Sequence, residues 1–203
     1  MHIRANVELR CSSCHYNCEV SPNLSIKASN CLDQQYCIWP EQNQYLKTGI
    51  LSLLLNDYYN LLGCGFIFVD FSYYNIKIFS NADWATWLTR TNFRLILIAD
   101  KKMEALASYW QKCFSHVVAV IYADDSHQSI RKKISNAFLG RRTVDVKRHK
   151  LTALEITVLD LLIRGIPVKG IAQLLNMKEK SVYNIRGTLK TKMGGRINNI
   201  IAG

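Results

Sequence analysis

LTALEITVLDLLIRGIPVKGIAQLLNMKEKSVYNIRGTLKTKMGGRINNIIAG, running from Leu151 to Gly203, reads as four helices with clear start and stop signals. Thr152 followed three residues later by Glu155 makes a capping box, in which each side chain satisfies a free backbone N–H at the helix start. Leu154, Val158, Leu161 and Leu162 recur at helical spacing, and Gly165 stops the helix. Pro167 opens a second, short helix with Val168, Ile171, Ala172 and Leu175 on one face, and Asn176 and Met177 make the turn after it. The third helix, roughly Glu179 to Met193, sets Val182, Ile185, Leu189 and Met193 on a buried stripe. A short last helix carries Asn198, Asn199, Ile200 and Ile201, candidates for contact with a second subunit.

At about 100° per residue, the opposite face of the third helix collects Lys180, Tyr183, Asn184, Gly187 and Thr191, with Lys190 at its edge. That face has donors, an aromatic ring, a gap and few carboxylates, which suits a helix lying in the major groove of DNA. Two short helices and a turn, the second helix presenting such a face, make a helix-turn-helix. On the residues alone, a three-helix bundle with a solvated basic face fits the same pattern.

The stretch resembles the LuxR/NarL type of helix-turn-helix over nearly all of its length. LTALEITVLDLLIRG matches the family's opening, KGIAQLL its scaffold helix and KSVYNIRGTLKTKMG its recognition helix. By that match Lys180, Tyr183, Asn184 and Gly187 fall on recognition-helix positions and Lys169 near the DNA backbone; the expected assignment adds Lys190 to the base-facing set and Lys178, Arg186 and Lys192 to Lys169 on phosphates. Two residues depart from the family pattern: Lys178 stands where a Ser cap is usual, and Ile185 where His is frequent. A cation at a helix N-terminus is unfavourable unless a phosphate lies nearby.

Charge points the same way. Residues 1–140 carry 13 Lys and Arg against 11 Asp and Glu, a net of +2, whereas residues 141–203 carry 13 against 4, a net of +9. Nearly all of the chain's excess of +11 is therefore at the helix-turn-helix end, an electrostatic footprint for a polyanion. An anionic membrane would attract it too, but these helices have no Trp or Phe face to insert. The opening MHIRANVELRCSSC has no apolar core segment, and the most hydrophobic window, Ile50–Val69, is interrupted by Asn56, Asp57 and Asn60. A cytoplasmic chain with reduced cysteines is expected.

Five of the seven cysteines, Cys11, Cys14, Cys18, Cys31 and Cys37, lie in the first 37 residues. Cys11-Ser-Ser-Cys14-His15 fits the c-type haem pattern, but haem attachment of that kind requires export. Zinc held by Cys11, Cys14, Cys18 and Cys31 is chemically feasible, although the spacing matches no tight pattern. The plainer reading is a flexible polar tail over residues 1–37 with no cofactor.

From residue 38 to 140 strands alternate with helices. A long helix is expected near Gln42–Leu62 with Tyr45, Ile50, Leu53 and Leu54 apolar, then a strand covered on both faces at Gly65–Ser72. Alternation at Tyr74, Ile76 and Ile78 hints at a short strand, and Ala82–Arg90 fits a helix. Further strands are expected at Phe93–Asp100 and His116–Asp124, with helical stripes from Met103 to Phe114 and from Ile130 to Phe138. Such alternation implies an open, mostly parallel α/β sheet. Residues 141–150, RRTVDVKRHK, read as a basic linker, and residues 151–203 as an all-α domain.

An α/β unit before a LuxR-type domain resembles the receiver of a response regulator. A working receiver needs an acidic pair for Mg²⁺, an Asp acceptor and a Lys that contacts the phosphate. Asp70, ending its strand, is a weak candidate acceptor; Ala123 falls where the Lys belongs, and the acidic pair is missing. The resemblance is to a degenerate receiver, as in the enterobacterial auxiliary regulators of capsule, mucoid phenotype and fimbriae. It implies a transcriptional activator of surface-structure genes that acts on double-stranded promoter DNA without phosphorylation, as a homodimer or paired with a response regulator. The rivals are a phosphotransfer protein using Asp70, a metal-dependent catalyst using the cysteines, and an interaction protein with weak DNA contact. No glycine-rich phosphate loop, HExxH or Ser/His/Asp pattern supports an enzyme.

Overall fold

The computed structural model describes residues 8–31, 35–57, 64–146 and 150–195. Four strands, β3 (Tyr36–Trp39), β4 (Phe66–Phe71), β5 (Arg94–Ala99) and β6 (Val117–Tyr122), form a parallel sheet in the order β3-β4-β5-β6. All six residues of β4 are buried, as expected of a strand covered on both faces. Side chains alternate between two apolar clusters. Tyr36, Ile38, Phe66, Phe68 and Ile96 pack with α2 (Gln44–Asp57) and α6 (His127–Phe138) on one face. Trp39, Ile67, Val69, Phe71, Leu95 and Leu97 pack with α3 (Ile76–Phe79), α4 (Asp83–Leu88) and α5 (Glu104–Cys113) on the other.

This arrangement has a topological consequence. The strands follow one another across the sheet in a single direction, yet α2 covers the face opposite α3–α5. The β3–α2–β4 connection therefore has the opposite hand to the two connections after it. Crossovers between parallel strands are right-handed in about 98% of cases, so this mixed winding is unusual.

The second face is rich in aromatic side chains. Phe71 stacks on Phe79 at 4.1 Å, Trp39 lies 5.7 Å from Trp87, and Trp84 meets Phe79, Trp110 and Phe114 edge-on. The Trp110 indole N–H donates to the Phe79 carbonyl at 2.9 Å, which locks α5 to the end of α3.

Several expectations are corrected. Residues 8–31 are not a flexible tail: β1 (Leu9–Arg10), β2 (Glu19–Ser21) and α1 (Ile26–Asn30) form a small unit that buries Leu9, Cys11, Val20 and Ala28. It packs on the edge of the sheet, where Cys11 bridges Cys37 and the Ser12 N–H donates to the Tyr36 carbonyl at 2.8 Å. Tyr36 and Cys37, assigned to the tail, are the first half of β3. Buried cysteines here act as small apolar residues. Helix α2 runs over Gln44–Asp57, started by the Asn43 carboxamide oxygen, which accepts the Leu46 N–H at 3.0 Å, and Tyr45 is 93% exposed.

Tyr74, Ile76 and Ile78 are not a strand. A 3-10 turn over Tyr73–Asn75 leads into α3, which buries Ile76 and Phe79 at helical spacing. Asn75 fixes that turn by donating to the Asp70 carbonyl at 3.1 Å.

Residues 141–145 are no free linker. Thr143 donates to the Val118 carbonyl at 2.8 Å along the open edge of β6, and Gln111 donates to the Thr143 carbonyl at 2.8 Å. Arg142 donates to the carbonyls of Val117 and Gln111. Asp145 joins Asp125 on the buried Lys133 ammonium, at 2.5 and 2.6 Å. Both edges of the sheet are thus covered, one by β1 and the other by this strap.

Candidate nucleic-acid interface

Three helices, α7 (Ala153–Ile163), α8 (Val168–Leu174) and α9 (Glu179–Lys192), pack around Ile156, Leu159, Leu162, Ile171, Ala172, Val182, Leu189 and Met193. Both halves of the capping box are present: the Glu155 N–H donates to the Thr152 hydroxyl at 3.2 Å and the Thr152 N–H to the Glu155 carboxylate at 2.7 Å. Gly165 ends α7 at φ +79°, a conformation that suits glycine. Leu154, expected on the apolar stripe, is 45% exposed; Ile156 and Leu159 carry that stripe instead. Asn176 turns the chain between α8 and α9 at φ +50°, and the Met177 N–H returns to the Ala172 carbonyl at 2.9 Å. Gly170 in α8 leaves room for the Ile166 side chain, which a Cβ there would meet at 3.1 Å.

With Val182 and Leu189 inside, α9 turns Lys180, Tyr183, Asn184, Gly187, Thr188, Lys190 and Thr191 outward, and Tyr183 is 55% exposed. An open concavity of about 630 Å³ runs along this face, lined by Tyr183, Asn184, Gly187, Thr188, Thr191 and Lys192. Nothing lies within 4 Å of where a Gly187 Cβ would project. Thr188, missed at the sequence level, donates to the Asn184 carbonyl at 3.1 Å, and Thr191 donates to Gly187 at 3.2 Å. Their hydroxyl protons are spent on the backbone, so toward any further partner these oxygens can only accept.

A second concavity of about 520 Å³ lies between α8 and the start of α9, lined by Lys169, Ala172, Gln173, Asn176, Met177, Lys178 and Glu179. Lys178 is the N-cap residue of α9, and its side chain makes no capping hydrogen bond. Arg186 is half-buried.

Lys192, expected on phosphates, is engaged inside the domain. Its ammonium donates to both Glu155 oxygens and to the Lys150 carbonyl, each at 2.8 Å, so all three of its protons are used inside the domain. Burial raises the Glu155 pKa, but the hydrogen bonds from Lys192 and Thr152 outweigh it and hold the carboxyl below its ordinary value. Asp160 is likewise engaged, by Arg164 at 2.7 Å and by the buried Ser80 hydroxyl of the α/β half at 2.7 Å. Two of the three carboxylates of residues 150–195 are therefore consumed internally, which leaves the α8–α9 surface positive at Lys169, Lys178, Lys180 and Lys190. Neither concavity is lined by a residue of the α/β half, so the Ser80–Asp160 contact leaves this surface open.

Residues 149–198 match the luxR family of bacterial regulatory proteins, and residues 10–138 match the EcpR N-terminal domain. The chain belongs with the proteins that carry the EcpR N-terminal domain, here followed by a luxR-type regulatory domain. It is a DNA-binding transcription regulator and not an enzyme. It is 33% identical over 192 residues to a protein of Escherichia coli (strain K12) described as uncharacterized protein YqeH, covering 95% of this chain and 91% of that one. Among solved structures it is similar to RcsB in two dimers bound to two parallel DNAs, at 14% identity and TM-score 0.48, over 78% of this chain and 91% of that one. It is similar also to RcsB from Salmonella enterica serovar Typhimurium bound to promoter rprA, at 14% identity and TM-score 0.42, over 79% and 95%.

The remaining candidate groups of this luxR-type regulator lie apart from the α8–α9 surface. Asp70, next to last in β4, is only 5% exposed, with Asn43 donating to its carboxylate at 3.2 Å. Asp100, at the end of β5, accepts the backbone N–H groups of Tyr73, Lys102 and Met103. Of the cysteines weighed for zinc, Cys14 and Cys31 are exposed, and among the described residues no three His, Cys, Asp or Glu side chains form a metal-sized group. No helix of the described residues is long and apolar enough to cross a membrane. Asn198, Asn199, Ile200 and Ile201 lie outside the described residues.

Proposed function

We propose that this regulator activates transcription from the cytoplasm by placing α9 in the major groove, with Lys180, Tyr183, Asn184, Gly187 and Lys190 toward bases. Lys169, Lys178 and Arg186 lie toward phosphates in this reading, and Thr188 joins the base-facing set. The observation that carries it is the positive α8–α9 surface, left open once Glu155 and Asp160 are used internally.

The α/β half acts, in the same proposal, as a receiver that has given up phosphorylation. Three features support this. The Asp70 carboxylate is buried against Asn43, Ala123 follows β6 where a receiver needs Lys, and Asp100 is occupied by three backbone N–H groups. Pairing with a second copy or with a response regulator, and control of capsule or other surface-structure genes, rest on the family resemblance.

The test is genome-wide footprinting of the tagged protein, with and without candidate partner regulators, for wild type and Asp70→Asn. The expected outcome is one set of promoters occupied equally by both proteins and activated by both. Loss of activation by a folded Asp70→Asn protein, or phosphate on Asp70 in cells, would refute the phosphorylation-free reading. Salt-insensitive binding to duplex DNA would refute the interface.

A further inference from the structure

DNA binding employs none of the five cysteines in the first 37 residues, yet the fold brings three of them into one row. Cys11 follows β1, and its N–H donates to the Cys18 carbonyl at 2.8 Å, continuing the register that sets Arg10 opposite Glu19. Cys18 is thus its cross-strand neighbour on one side. On the other side Cys11 pairs with Cys37 of β3 in an antiparallel bridge. The hydrogen bond from Ser12 to the Tyr36 carbonyl flanks that bridge and marks it as a non-hydrogen-bonded pair. In such pairs the Cα atoms are about 4.5 Å apart and the side chains approach most closely, inside the roughly 4.4–6.8 Å that a disulfide spans. Cys11 and Cys37 are 5% and 0% exposed in one apolar cluster, while Cys18 is half-buried at its rim. All three are free thiols.

We propose that Cys18, Cys11 and Cys37 form a relay through which a peroxide closes a Cys11–Cys37 disulfide, fastening the β1–β2 unit to the edge of the parallel sheet. The more accessible Cys18 thiolate attacks hydrogen peroxide, becoming a sulfenic acid and releasing hydroxide, which takes up a proton as water. The Cys11 thiolate attacks the Cys18 sulfur, forming an S–S bond and expelling the sulfenic oxygen as a second water. The Cys37 thiolate then attacks the Cys11 sulfur, the bond to Cys18 breaks, and Cys18 leaves as a thiolate. Two thiols and one peroxide give one disulfide and two waters; the thiols lose two electrons and the peroxide gains them. Burial pushes the Cys37 thiol well above its ordinary pKa, and Cys11 adds to the effect. A thiol of that kind attacks slowly but is a poor leaving group, so it retains the disulfide once bonded.

The test uses the full chain with Cys14, Cys31, Cys64 and Cys113 replaced by Ser, treated with hydrogen peroxide under native conditions. Intact mass and peptide mapping follow the products, and circular dichroism checks that each variant is folded. The expected result is loss of the mass of two hydrogens with Cys11 joined to Cys37. Adding Cys18→Ser should slow closure by about tenfold or more, and adding Cys37→Ala should halt the reaction at a Cys11–Cys18 disulfide. Oxygen addition without a disulfide, a disulfide formed only after denaturation, or an unchanged rate in the Cys18→Ser protein overturns the relay. Should Cys37→Ala fail to fold, the mapped bond and the Cys18→Ser rate still decide the question.

Discussion

A single lysine shows how a residue can be wrong for folding and right for binding. Lys178 caps α9 without any side-chain hydrogen bond, and its charge faces the positive end of the helix dipole, offset only in part by Glu179. The absent cap costs about 1 kcal/mol, and the charge a few tenths more. A DNA phosphate at this helix end would satisfy both the free N–H groups and the ammonium. Lys178→Ser is therefore expected to raise the melting temperature while weakening binding to matched and scrambled duplexes by a similar factor. The slope of log K against log salt should shrink by about one unit, the signature of one lost phosphate contact. A lower melting temperature or an unchanged slope would show that Lys178 does not face the backbone of DNA. Most of the α9 surface was legible from periodicity, because Val182 and Leu189 fix which residues turn outward. The fate of Lys192 was not. Its partner Glu155 lies 37 positions away, and a capping box says nothing about what else its carboxylate holds.

Among elements, the strap after α6 rests on a buried ion pair. Lys133 is almost fully enclosed, donates to the Val120 carbonyl at 2.9 Å, and ties the β6–α6 turn through Asp125 to the strap through Asp145. Removing one member of a buried ion pair strands the others without a counter-charge, at a cost of about 3–5 kcal/mol. Lys133→Ala is expected to lose stability of that order in urea denaturation of the full chain. A loss below about 1 kcal/mol, typical of a surface pair, would mean the strap is held by its backbone bonds alone. Strands β4, β5 and β6 were readable as continuous apolar runs, whereas β1, β2 and β3 were not. Two- to four-residue strands carry too few positions to display a period, and cysteines beside Ser, Asn and Gln look like polar coil until burial reveals them as core. The alternation at Tyr74–Ile78 misled for the same reason: five residues fit a strand or a helical turn equally well.

For the molecule as a whole, the parallel α/β class and the all-α C-terminal half followed from periodicity, the DNA-binding reading of that half needed the family resemblance, and the mixed hand of the crossovers followed from neither. Handedness depends on which face each helix covers, and hydrophobic runs buried on both faces carry no such label. The strand order has a further consequence, for synthesis. Every strand of the sheet pairs with the one made just before it, so the α/β half can assemble as it leaves the ribosome, edge first, with residues 141–145 closing β6 last. Nascent chains stalled with residues 1–146 outside the exit tunnel are expected to resist brief protease treatment as well as the finished protein's α/β half does. Chains stalled before Val117 are expected to be digested. If the longer chains are digested too, the half is not self-sufficient, and the Ser80–Asp160 contact with the helix-turn-helix is needed before it can stand.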